Sequence, residues 1–398
     1  MNYDFLLDFA LILTITKILG LFTRRIHLPQ VVGMLLAGIL LGPAVLDIIQ
    51  PYEVIETLAQ VGVVLLMFTA GLETDLSRIR KALKPSLIVA VIGVLVPLGG
   101  GYVLASCFGQ DTMKSIFMGV ILTATSVSIT VETLREMGKL NTRVGSTIMG
   151  AAVIDDILGL VILSSIMGLG GSGAEGGSTQ AALIGVTLLK IFGFFVFSLL
   201  CGIGMNALIK FLNAKFGTKH RIPVLALAFC FFLSYVAERF GVAEIIGAFF
   251  AGLALCNNDA EKYIEEQNSV LSYMFFSPIF FVSIGLMTTF DGLDSSVILF
   301  AVLLLAVAII TKLVGCGVGA LLCKIPKRES FQIGVGMVSR GEVAIIVAAK
   351  GVAVGLMDSE LFSSVILVVI TTTLVTPILL KLVFSRGSPQ EGISQEEN

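Results

Sequence analysis

Tryptophan is absent from this 398-residue chain, and only 14% of its residues are charged. The first absence removes the indole rings that usually mark membrane–water interfaces. The second excludes a water-soluble globule, in which roughly a quarter of the residues carry charge. Here 56% are hydrophobic and the mean hydropathy is +0.99. The six cysteines lie in or beside apolar runs without close paired spacing, so neither a zinc site nor a disulfide framework is indicated. No nucleophile–base set, metal motif or nucleic-acid partner is suggested, and no polar stretch is long enough for a separate soluble domain. The first apolar run begins at Phe5 without a basic leader or a small-residue cleavage site, and reads as a retained span.

What is present is a succession of apolar runs, each of about 15 to 25 residues, enough to cross the hydrocarbon core as helices. The expected fold is an all-α polytopic membrane protein, one transporter domain over 1–398. Thirteen spans are expected, at 5–22, 31–46, 57–72, 87–108, 115–134, 146–169, 181–212, 222–240, 243–256, 274–287, 297–322, 331–356 and 361–383. On that map 19 of the 26 Lys and Arg fall in, or within three residues of, alternate connections and the terminal tail, and Lys114 and Arg239 alone fall in or beside the connections of the opposite side. The positive-inside rule then places the N-terminus outside and the C-terminus in the cytoplasm, with a short tail over 385–398. The plasma membrane is the expected location.

A repeat runs through the map. Gly33, Ala37 and Gly38 recur 214 residues later as Gly247, Ala251 and Gly252; Gly71-Leu72 recurs as Gly285-Leu286; Ser115 and Gly119 recur one residue further on, as Ser330 and Gly334. This matches spans 1–6 to spans 8–13 and leaves the seventh, 181–212, as a linker. An offset of seven spans requires the two six-helix halves to be inverted, a pattern of secondary transporters, with the ion site where the halves meet.

Charges inside apolar runs cost about 2.5–3.5 kcal/mol each on insertion scales, so they mark function. Asp155 and Asp156 are flanked by apolar residues for two turns on either side. Neighbouring helical positions point about 100° apart, so one carboxylate can face a cavity while the other meets a protein partner. Lys312, mid-span, needs a carboxylate, and Asp155 is the natural one. Spans five and twelve carry Thr123-Ala-Thr125-Ser126-Val-Ser128-Ile-Thr130 and Gly334-Val-Gly336-Met-Val-Ser339-Arg340-Gly341-Glu342. Such hydroxyl- and glycine-rich stretches at equivalent places predict two discontinuous, crossing helices whose carbonyls and dipole ends face an ion. Ser128, Arg340 and Glu342 are supporting candidates.

These residues resemble a known family. Leu66-Met-Phe-Thr-Ala-Gly-Leu-Glu-Thr-Asp75, the 123–130 stretch, the Asp155-Asp156 pair and Lys312 are similar to the monovalent cation:proton antiporter-2 family and, within it, to its NapA-type sodium/proton antiporters. The resemblance implies a core domain of spans 4–6 and 11–13, a dimerisation domain of spans 1–3 and 8–10, and a homodimer. It implies cation binding (Na+ or Li+) on Asp156, assisted by Thr125 and Ser126, and a Lys312–Asp155 bridge. The glutathione-gated potassium branch resembles Gln-Asp at the pair and Gln-Gly-Gly-Glu where this chain has Ser339-Arg340-Gly341-Glu342; electroneutral exchangers resemble Asn-Asp.

The expected function is exchange of sodium (or lithium) for protons by alternating access, two protons per cation, with no cofactor and no enzymatic step. Potassium/proton exchange is the alternative on the same site, and a cation channel is the alternative from another class. Adjacent aspartates on one helix argue against a two-helix aspartyl protease.

Overall fold

The structure, a computed structural model, describes residues 4–170, 177–216, 222–258, 260–288 and 295–385. Among these, every regular element is helical. The helices are α1 (Asp4–Arg25), α2 (Gln30–Leu41), α3 (Glu53–Leu72), α4 (Leu76–Cys107), α5 (Thr112–Ile121), α6 (Val127–Glu136), α7 (Arg143–Gly170) and α8 (Gly177–Phe216). They continue with α9 (Ile222–Arg239), α10 (Glu244–Leu255), α11 (Glu261–Leu271), α12 (Ser277–Leu286), α13 (Ser295–Leu322), α14 (Lys327–Gly336), α15 (Glu342–Ala353) and α16 (Ser359–Ser385).

Nine helical segments among the described residues are long and apolar enough to cross a membrane, and four shorter apolar helices accompany them: α2, α5, α10 and the Val343–Ala353 stretch of α15. Two of the four are short because their span is interrupted. The fifth predicted span is α5 and α6, separated by residues 122–126, and the twelfth is α14 and α15, separated by 337–341. Both interruptions have a local cause. Thr123 turns its hydroxyl back onto the Val120 carbonyl at 2.7 Å, competing with the helical ladder. On the other side, Gly341 adopts an extended backbone just before α15.

Several predicted boundaries move. The tenth span, expected over 274–287, is part of a longer rod in which α11 and α12 join through a π-helical turn, Ser272–Phe276. Arg78, Arg80, Lys81 and Lys84, assigned to a connection, occupy the first turns of α4, whose start is capped by the Asp75 carboxylate accepting from Ser77 N–H. Helices run past the hydrocarbon into the interface, where charged residues are solvated, so an apolar run underestimates helix length. Lys219 and Arg221, basic residues of the connection after the seventh span, and Arg386 with the rest of the tail beyond Ser385 lie outside the described residues.

Glycines set the closest approaches. A Cβ on Gly38 of α2 would strike the backbone of α12 at Val282 and Gly285, and one on Gly252 of α10 would strike α3 at Phe68 and Gly71. Likewise Gly119 of α5 lies on the Leu98 carbonyl of α4, and Gly334 of α14 on the Leu313 carbonyl of α13. Around these contacts α4 packs with α5, α7 and α13, and α13 with α14 and α16; α3 packs with α10 and α12, and α2 with α1 and α12. The 40-residue α8 touches α7, α9 and α10.

Candidate functional site

The two interruptions meet. The Ser126 backbone N–H donates to the Ser339 carbonyl at 2.9 Å, and the Ser339 hydroxyl donates to the Ser126 carbonyl at 2.8 Å. Thr130, on α6, donates to the Gly336 carbonyl at 2.7 Å. Backbone groups freed by unwinding are thereby satisfied inside the protein, as an apolar medium requires. On the α15 side, the Arg340 carbonyl accepts from the Thr373 hydroxyl at 2.8 Å, and its N–H donates to Thr372 Oγ1 at 3.2 Å.

Against this crossing α7 presents its acid pair. Lys312 Nζ donates to Asp155 Oδ1 at 2.8 Å, with both side chains essentially inaccessible. The second Asp155 oxygen accepts from Thr125 Oγ1 at 2.7 Å. One carboxylate thus ties together α7, α13 and the α5–α6 break. The neighbouring Asp156, turned about 100° away, is 9% exposed and lines cavities on two sides. One, of about 60 Å³, is bounded by Thr123, Ala124, Leu160, Leu163 and Val343. The other, of about 10 Å³, is closed in by Met67, Val131, Met149, Ile245 and Phe249. A water needs about 10–15 Å³ of such space, so the first cavity admits several and the second at most one. In this structure Asp156 has the roomier space on one side and a narrow apolar constriction on the other.

The remaining predicted residues are placed as follows. Thr125 meets Asp155, whereas the resemblance implied assistance to Asp156. Ser126 contributes its backbone to the crossing, and its hydroxyl lies 3.3 Å from that of Ser128. Arg340 is 1% exposed, and its guanidinium donates to the Val338 and Ala308 carbonyls, each at 3.3 Å, so it sits between α13 and the break. Glu342 opens α15, and its side chain lies outside what is described.

Thr130, Ser339, Thr372 and Thr373 were not singled out as site residues. The run Thr371-Thr372-Thr373 in an apolar span was the available signal. A second group was also missed. Arg135, in the last turn of α6, pairs with Glu73 at the end of α3 at 2.5 Å, and its guanidinium lies 3.7 Å from the ring centre of Tyr273 in the π turn. The adjacent Glu136 accepts from Gln30 N–H at the start of α2, at 2.9 and 2.8 Å. These contacts fasten the C-terminal end of α6 to α2, α3 and the π turn. Burial pushes the Glu73 carboxyl above the ordinary carboxylate range, although Arg135 pulls the other way.

Comparison with known proteins bears on what such a site does. The chain is 41% identical over 385 residues to the Na(+)/H(+)-K(+) antiporter GerN of Bacillus cereus, covering 96% of this chain and 97% of that protein. It is 38% identical over 378 residues to a Na(+)/H(+) antiporter of Enterococcus hirae, covering 95% and 97%. Its fold matches that of the sodium proton antiporter MjNhaP1 of Methanocaldococcus jannaschii, solved at pH 8, with a TM-score of 0.70 and 19% identity over 94% of this chain and 95% of that one. The family model described as sodium/hydrogen exchanger, transmembrane, matches residues 10–386. The resemblance drawn from the acid pair and its surroundings is therefore borne out, and the chain belongs to the sodium/hydrogen exchanger family of multi-pass membrane antiporters, which are transporters and not enzymes.

Proposed function

We propose that this protein exchanges one sodium (or lithium) ion for two protons across the plasma membrane by alternating access. The observation that carries the reading is Asp156, lining a cavity beside the buried Lys312–Asp155 pair and the crossing of two broken helices. Asp156 holds either the cation or a proton, with oxygens of the α5–α6 break, Thr123 among them, within the same cavity. The names of the relatives support sodium and protons. The mention of potassium in the B. cereus relative favours potassium/proton exchange as the second reading. A channel needs a continuous path, and the narrow apolar constriction on one face of Asp156 supports alternating access instead.

The architecture we infer is thirteen spans, with α5–α6, α11–α12 and α14–α15 each counted as one, arranged as two inverted six-span repeats about α8. The glycine contacts support it. The Gly38–Gly285 contact, shifted by 214 residues, becomes Gly252 on Gly71, and Gly119 on Leu98, shifted by 215, becomes Gly334 on Leu313. The first contact joins the two repeats at reciprocal positions, and the second recurs within each repeat, as a repeated fold requires. Spans 4–6 and 11–13 form the moving core, spans 1–3 and 8–10 the dimerisation domain of a homodimer, and α8 the linker. With the N-terminus outside, the wider cavity at Asp156 faces outward and the Met67–Met149–Phe249 constriction faces the cytoplasm.

The test is cation-dependent proton flux in liposomes, with sodium, lithium and potassium offered separately. Sodium or lithium should drive flux in the unaltered protein, and Asp156→Asn should abolish it with all three. Flux surviving in Asp156→Asn, or confined to potassium, overturns the sodium reading.

A further inference from the structure

We propose that the groove between α4, α8 and α10 binds one anionic phospholipid, with its headgroup on Arg80 and an acyl chain along α8. The groove holds about 410 Å³, lined mainly by Phe195, Leu199, Ile203, Phe250 and Leu253, with Arg80 the one charged residue of its lining. That volume lies within the range of small-molecule sites. Its long wall runs on α8 from Phe195 to Asn206. At ~1.5 Å per residue this is about 16 Å, close to half of a ~30 Å hydrocarbon core and so one leaflet deep. Leu199 and Ile203 are 66% and 61% exposed, which leaves the groove open sideways to the bilayer.

The polar end selects the headgroup. Asn206 is already engaged: its amide donates to the Gly202 and Ala254 carbonyls, and its oxygen accepts from Asn258 at 2.8 Å. It pins α8 to α10 and has little left to offer a ligand. Arg80 is exposed and makes no ion pair among the described residues, whereas Arg78, two positions away, is held by Asp75 at 3.1 Å. Lys84 follows Arg80 by one turn on α4, and Lys210 follows Asn206 by one turn on α8. An uncommitted guanidinium above an apolar slot, with ammonium groups a turn away on two walls, matches a phosphodiester headgroup attached to a hydrocarbon chain. A basic pocket between membrane helices is a recognised setting for such headgroups.

Native mass spectrometry of the delipidated full chain, titrated in micelles with phosphatidylglycerol, phosphatidylcholine or glycerol 3-phosphate, tests this. One cation near a membrane surface contributes about 1 kcal/mol, so phosphatidylglycerol should bind at one site at least about fivefold more tightly than phosphatidylcholine. Arg80→Gln should remove that preference. Arg78→Gln, an equal loss of charge, should leave it intact. Ile203→Trp should fill the slot and weaken both lipids, and millimolar glycerol 3-phosphate should not compete. Equal binding of the two lipids, equal effects of the two arginine variants, or displacement by glycerol 3-phosphate would each overturn the proposal. The last outcome would mark a free-phosphate site. Should Ile203→Trp fail to fold, the two arginine variants decide the matter alone.

Discussion

A few charged side chains of this protein stand where charge is costly, and Lys312 and Asp155 show how they are tolerated. Each satisfies the other at 2.8 Å, and Thr125 fills the second Asp155 oxygen. Breaking a buried pair by removing one partner costs about 3–5 kcal/mol, because the other charge is left uncompensated. Lys312→Met should therefore lower the thermal midpoint of the purified protein sharply, and adding Asp155→Asn should recover most of the loss. A double variant as unstable as the single one would show that the pair is not what Lys312 contributes. Both residues were legible in the sequence for the same physical reason: an ionised group inside an apolar run has no bland explanation at mid-span. The partners of Arg340 were not legible. They are carbonyls of Val338 and Ala308, and a carbonyl leaves no trace in residue type.

At the scale of elements, the two broken helices are held by hydrogen bonds between residues more than 200 positions apart, and by the absence of side chains where they touch. A Cβ on Gly341 would lie 2.7 Å from Ser126 Oγ and 2.8 Å from its Cβ, whereas one on Gly336 would lie 2.5 Å from Ile148 Cδ1, the movable tip of a long side chain. Gly341→Ala should therefore disturb the crossing and reduce exchange several-fold, while Gly336→Ala should be milder; equal effects in a liposome assay would show that the Ser126 contact is not decisive. The polar stretches announced the breaks, because hydroxyls and glycines both weaken a helix. Which break groups pair with which was hidden, since that depends on how distant segments dock. The same holds for the far end of α6, where Arg135 read as a loop cation but clamps Glu73 and Tyr273. This clamp stands on the same side of Asp156 as the apolar constriction, because α6 carries Val131 between the crossing and Arg135. Loosening it should open that side. In a cysteine-free background, Met149→Cys should react faster with an impermeant thiol reagent from the basic side once Arg135→Gln is added. The Glu73 carboxyl titrates above the ordinary range, so as pH falls from neutral it takes up a proton before an exposed glutamate does and loses its charge toward Arg135. Reactivity at Met149→Cys should accordingly rise on mild acidification. Glu73→Gln should flatten that rise; an unchanged pH profile in that variant would assign the response to a group other than Glu73.

For the whole molecule, if the proposed two-proton exchange holds, the decisive quantity is the charge carried in each half of the cycle. With protons loaded, Asp156 is neutral, Asp155 negative and Lys312 positive, so the three sum to zero. With sodium loaded, displacement of one proton from Asp156 and one from Lys312 leaves two carboxylates, one sodium ion and a neutral amine, for a sum of minus one. Arg340 stays protonated in both states and cancels from the difference. Two protons then move against one sodium ion, and each cycle carries one positive charge in the direction of the protons. A membrane potential contributes about 2.3 kcal/mol per charge per 100 mV. An interior-negative potential should therefore expel sodium from right-side-out proteoliposomes with no pH gradient imposed. Lys312→Gln removes the second proton carrier. Any exchange it retains should be weaker and indifferent to the potential, because one proton now leaves for each sodium ion that enters the site. Sodium flux through the unaltered protein that ignores an imposed potential would show that Lys312 keeps its proton throughout, and that its bond to Asp155 serves only to hold α7 against α13.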